Sequence, residues 1–129
     1  MEEARAGKLN IININFIYDK TFTKISSRSN NYIEKSFKKS LDIIRSKKGK
    51  FILINGPISK KTFLKKKYLG ITEYLSKKTN SKNQVMLIYN QKLSVCPVTT
   101  HLPINEVAKK INKKIIFEKA MLISNFYKN

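Results

Sequence analysis

Between residues 9 and 18 apolar and polar side chains alternate, with Asn13 and Asn15 set between Ile12, Ile14 and Phe16. A period of two puts every second side chain on the same side of an extended chain, so this stretch predicts a half-buried strand. The period then lengthens. Ile33, Phe37, Leu41 and Ile44 recur at helical intervals and form one apolar stripe. Asn30 or Asn31 can cap the start of that helix and Gly49 can end it. The uninterrupted run Phe51-Ile52-Leu53-Ile54 reads as a short strand buried on both faces, and Gly56-Pro57 stops it because proline donates nothing to a ladder.

Two short helices are predicted next, a basic one over 60–67 and a second over 72–78 that follows the flexible Gly70. The β-prone runs 85–89 and 93–98, joined by Asn90, Gln91 and Lys92, predict a hairpin, with Pro97 placing its second strand at an edge or an end. A helix should begin just after His101, with Pro103 in its first turn and Ile104, Val107, Ala108 and Ile111 on one stripe. A last helix over 114–127 would turn Ile116, Ala120, Ile123 and Phe126 inward. Helix alternating with buried strand is the signature of the α/β class. No internal repeat or linker divides the sequence, so 1–129 reads as one domain or part of one.

Composition changes this picture little. At 129 residues and 41% hydrophobic content, the chain can bury roughly two-thirds of its unfolded surface in one core. Its longest apolar runs fall far short of the ~20 residues of a membrane-spanning helix, and Met1-Glu2-Glu3-Ala4-Arg5 is unlike a secretory signal. A single cysteine, Cys96, has no partner for an internal disulfide and sits in an apolar run, where it reads as a small hydrophobe and not a nucleophile. A soluble cytoplasmic protein is the expectation.

The net charge of +19 would suit a polyanion. However, 24 lysines stand against 3 arginines, beside 18 isoleucines and 13 asparagines, the residue set that an AT-rich genome over-encodes. Base readout favours the arginine fork, and no helix-turn-helix, zinc-ligand or RNA-binding aromatic motif is visible. A basic nucleic-acid-binding protein is therefore only an alternative.

Three segments carry a more specific signal. Phe51-Ile52-Leu53-Ile54-Asn55-Gly56-Pro57-Ile58-Ser59-Lys60 resembles a buried strand running into a Thr-Gly-Pro-x-x-Lys turn, with Asn55 in place of threonine. Gly70-Ile71-Thr72-Glu73-Tyr74-Leu75 resembles Gly-His-Thr-Glu-Phe-Leu, with Ile71 in place of histidine. Val95-Cys96-Pro97-Val98-Thr99-Thr100-His101-Leu102-Pro103-Ile104 resembles a strand leading into Thr-Thr-His-Leu-Pro-Leu, the most specific of the three. In this order they are similar to the central part of the 4-hydroxythreonine-4-phosphate dehydrogenase (PdxA-like) family of pyridoxine biosynthesis. The resemblance implies part of an isocitrate/isopropylmalate-dehydrogenase-like fold, a mixed sheet flanked by helices, and a single incomplete domain.

It also implies roles. His101, which taken alone is more often a helix-flanking or hydrogen-bonded structural residue than a ligand, corresponds to a metal ligand, and the end of a strand before a helix is where open α/β sheets bind ligands. Thr99 and Thr100 could orient its ring or cap the next helix. Thr72 corresponds to a substrate contact, and its hydroxyl beside a helix N-terminus suits a phosphate or hydroxyl group; its plain reading is an N-cap. Gly56 and Pro57 shape a loop beneath the site, and Lys60 is a candidate anion contact.

The family's reaction is the NAD-dependent oxidation and decarboxylation of a phosphorylated hydroxy amino acid, with a divalent metal (zinc, magnesium or cobalt) acting as Lewis acid. The family is homodimeric with a shared active site. This sequence offers one such ligand, His101, and no second histidine. It lacks the family's other ligand motifs, and no Gly-x-Gly-x-x-Gly fingerprint identifies an NAD contact. The expectation is a fragment inactive alone, or a degenerate homologue that binds a phosphorylated metabolite without turning it over.

Overall fold

The structure is a computed structural model and describes residues 5–128. The described chain is helical, with helix in 46% of it and no sheet. The described residues form four α-helices: α1 (Asn30–Ser46), α2 (Ile71–Thr79), α3 (Ile104–Lys110) and α4 (Lys113–Lys128). A 3-10 turn (Ser27–Ser29) precedes α1, and a π-helical turn (Lys60–Leu64) follows it. The chain divides into two compact units, one ending at Lys67 and the other beginning at Tyr68. Among the described residues no helix is long and apolar enough to cross a membrane.

In the first unit the predicted stripe of α1 does face inward. Phe37 and Leu41, one helical turn apart, are buried, while Ile33 and Ile44 are half-buried at either end. The π-helical turn covers them. Phe63 stacks on Phe37 with ring centroids 6.2 Å apart, and Leu64 is 2% exposed. Asn30, expected to cap α1, instead sits inside its first turn and donates from Nδ2 to the Thr62 carbonyl at 2.8 Å. The basic helix expected over 60–67 stops after one turn because Lys65 and Lys66 adopt positive φ, 48° and 60°. No right-handed helix continues through such residues.

In the second unit α2 spans one residue more at each end than its pattern suggested. Tyr74 is its buried anchor, with the Tyr68 ring edge-on at 5.4 Å and Lys78 Nζ 5.5 Å from its centroid. Asn80 ends α2 in the left-handed conformation (φ 53°), and the Ser81 amide donates to the Ser76 carbonyl at 3.0 Å, the usual closure of a helix on its last free carbonyls. The Asn112 side chain accepts from the Ile115 amide at 3.0 Å at the start of α4. The inward face of α4 is only partly the expected one. Ile123 is half-buried, together with Ile115, Lys119, Leu122 and Ser124, whereas Ile116, Ala120 and Phe126 are exposed. In α3 only Val107 of the predicted stripe is half-buried.

The expected α/β class, with its mixed sheet, is overturned. Segments 9–18 and 51–54 contain no strand, and the hairpin predicted from 85–89 and 93–98 is reduced to one antiparallel bridge, Ile88 opposite Val95, closed by reciprocal backbone bonds of 2.8 and 2.9 Å. The reason is pairing. Alternation selects an extended conformation, but a strand needs a neighbour about 4.8 Å away to take its amides and carbonyls. Ile52 and Ile54, read as buried on both faces, are 88% and 87% exposed.

Candidate functional site

His101 lies in the loop before α3, and no strand leads into it. Its side chain is exposed and its φ is +58°, a left-handed conformation that few residues other than glycine adopt. Neither Thr99 nor Thr100 caps the following helix, whose N-cap position is Pro103. Thr72 is likewise not a cap. The N-cap of α2 is Gly70, so Thr72 is the second residue of the first turn, half-buried and close to the free amides of the helix start.

Gly70 is where these elements meet. It is buried, and a Cβ built on it would lie 2.9 Å from Glu73 Oε2 and 3.9 Å from His101 Nε2. The loop carrying His101 and the first turn of α2 therefore converge on one bare Cα. Glu73 Oε2 is withdrawn from solvent and has no hydrogen-bond partner. The sequence showed Glu73 inside a motif but gave it no role; it is the third residue of the helix that Gly70 caps, the position from which a glutamate can reach back toward the N-cap.

Gly56, Pro57 and Lys60 belong to the first unit, where Pro57, with Ser59, Thr62 and Arg28, lines a cavity of about 410 Å³. Lys60 is exposed and opens the π-helical turn. Cys96 is a half-buried free thiol whose Sγ lies 3.8 Å from the Pro97 carbonyl oxygen.

A divalent metal does not fit the residues as they stand. Catalytic sites use about three protein ligands with one position open, and no group of three or more histidine, cysteine, aspartate or glutamate residues is assembled among the described residues.

Comparison with known proteins decides the family. The sequence model of the pyridoxal phosphate biosynthetic protein PdxA matches residues 1–129. The chain belongs to the PdxA family. Relatives named 4-hydroxythreonine-4-phosphate dehydrogenase include that of Sulfurihydrogenibium sp. (strain YO3AOP1), 28% identical over 93% of this chain and 36% of its own length. The Aquifex aeolicus protein is 39% identical over 43% of this chain and 18% of its own. That of Neisseria meningitidis serogroup A is 28% identical over 100% of this chain and 36% of its own. This PdxA-family chain thus spans little more than a third of the relatives that match most of it. No solved structure matches it.

Proposed function

We propose that this chain is a working portion of a 4-hydroxythreonine-4-phosphate dehydrogenase, supplying Thr72 to the phosphorylated substrate and His101 to the metal site. The NAD contacts and the remaining metal ligands come from outside it. One observation supports this above the others: two of the three motif segments, far apart in sequence, converge at Gly70. An accidental resemblance gives no reason for the Thr72 turn and the His101 loop to meet. With one histidine and no ligand cluster among the described residues, the chain alone neither holds a divalent metal tightly nor reduces NAD. Phosphorylated small molecules, and not nucleic acid, are its partners.

A second reading, a degenerate homologue that binds a phosphorylated metabolite without turnover, is favoured by Ile71, which stands where the resembled motif has histidine. Reconstitution separates the two. The purified chain is mixed with a polypeptide carrying the rest of the Sulfurihydrogenibium relative, then given zinc or magnesium, NAD and 4-hydroxythreonine phosphate, and nicotinamide absorbance is followed. The proposal expects turnover only in the mixture, and its loss in His101→Ala. Substrate binding without turnover in any combination would favour the second reading. Turnover by the chain alone would show that it is complete.

A further inference from the structure

The surroundings of Gly70 imply a role for Glu73. The three atoms nearest to a Cβ on Gly70 all come from two side chains: Glu73 Oε2, His101 Nε2 and Glu73 Cδ. Carboxylate tip and imidazole edge thus share the same side of Gly70, in space that any larger residue would fill. Glu73 Oε2 has given up water and gained no donor in return, an unfavourable state that a nearby N–H relieves. The nearest ring nitrogen on that side is Nε2 of His101, which can carry one. The left-handed backbone at His101 sets where its ring begins, so side-chain torsions alone govern the approach.

We infer that Glu73 is a positioning residue for His101: its Oε2, unpartnered in this structure, turns to accept the Nε2–H of the ring beside Gly70. The bond fixes the tautomer with the proton on Nε2 and leaves the Nδ1 lone pair for whatever His101 binds. Gly70 is part of the device because a Cβ would push the carboxylate away. This rests on the proposed function only for what His101 goes on to bind. The competing role for Glu73 is purely structural: a glutamate at this helical position can return to the N-cap amide. That role would stabilise α2 and leave the ring untouched.

The chain has a single histidine, so isotopically labelled histidine gives one imidazole signal set with no assignment problem. Proton exchange at Nε2 is measured on the full chain without metal, NAD or substrate, and backbone amide signals report whether α2 is intact. The expected result is an Nε2–H that exchanges about tenfold or more slowly than in free imidazole, since the acceptor is a carboxylate. Glu73→Leu should abolish the protection, and Glu73→Gln, which keeps an acceptor oxygen, should retain part of it. Gly70→Ala leaves the glutamate in place but fills its space, and should also lower the protection. It serves as the deciding variant where Glu73→Leu disturbs α2. Exchange in the parent chain as fast as in free imidazole, or unchanged in the variants with α2 intact, would overturn the inference. Protection at Nε2 alongside failed reconstitution would sink the proposed function and leave the pairing standing.

Discussion

Asn30 and Thr62, 32 residues apart, are joined by a hydrogen bond of 2.8 Å from the Asn30 side-chain amide to the Thr62 carbonyl. It ties the first turn of α1 to the π-helical turn that covers Phe37. Asn30 Oδ1 beside it is buried without a partner, so the residue is held by its donor and not by its acceptor. Asn30→Ala should therefore cost about 1 kcal/mol. Asn30→Asp should cost more, because it deletes the donor and leaves a carboxylate in poorly solvated space, which outweighs a helix-start benefit of roughly 0.3–1 kcal/mol. Urea unfolding of the three proteins checks the order. An aspartate variant as stable as the parent would show that the Thr62 bond contributes nothing.

The core of the first unit is thin enough for single truncations to be decisive. Phe37 is buried and stacked on Phe63, and with Leu41 and Leu64 it makes up the buried apolar set there. Phe37→Ala should cost about 3–5 kcal/mol, a large part of the roughly 5–15 kcal/mol that a domain commands. Phe22 is fully exposed, with φ 56°. Phe22→Ala should change stability by no more than about 0.5 kcal/mol. Equal losses in the two variants, measured by denaturant midpoints, would contradict the burial pattern.

These two phenylalanines also show what was legible in the sequence. The helical stripe at Phe37 and Leu41 could be read because a helix satisfies its own backbone, so its periodicity needs only one covering surface. Segments 9–18, 51–54, 85–89 and 93–98 carried an equally regular pattern, but a strand depends on a neighbour that periodicity does not name. The face of α4 was misjudged because apolar residues lie all around it, Ile115, Ile116, Phe117, Met121, Leu122 and Ile123 among them, and packing makes the choice. For the proposed site, the motifs pointed to Thr72 and His101. Gly70 and Glu73 matter through proximity, which spacing does not express.

Asp19 and Arg28 form a forked ion pair, 2.7 Å from Nη1 to Oδ2 and 3.4 Å from Nη2 to Oδ1, with both side chains exposed. Hydrogen bonding to Arg28, then its charge, holds the Asp19 carboxyl below the usual carboxylate range. Its folded pKa is below its unfolded one, so the pair's contribution is present above the unfolded value of about 3.9 and is lost as pH falls through the folded value. Asp19→Asn should lower stability slightly at neutral pH, and the two proteins should converge in acid. Added salt should shrink the neutral-pH difference, since exposed pairs are screened. Melting temperatures at neutral and acid pH, at low and high salt, test it; a gap that widens in acid would reverse the sign argued here.

His101 combines a side chain implicated in function with a backbone that histidine adopts at a cost. Its φ of +58° lies in the left-handed region, where a Cβ crowds the following carbonyl by roughly 1–2 kcal/mol and glycine is free of that penalty. Truncation to alanine keeps the crowding and removes the ring. Truncation to glycine removes both, at the expense of a more flexible unfolded chain, which offsets roughly 0.4–1 kcal/mol. His101→Gly should consequently be more stable than His101→Ala, while both lose the ring's bond to Glu73. Both should abolish turnover in the reconstituted enzyme. Denaturant midpoints and nicotinamide absorbance, measured on the same preparations, separate the two properties. If glycine is the less stable of the two variants, the left-handed backbone is not a source of strain; if either variant turns over at the parent's rate, the ring is not part of the site.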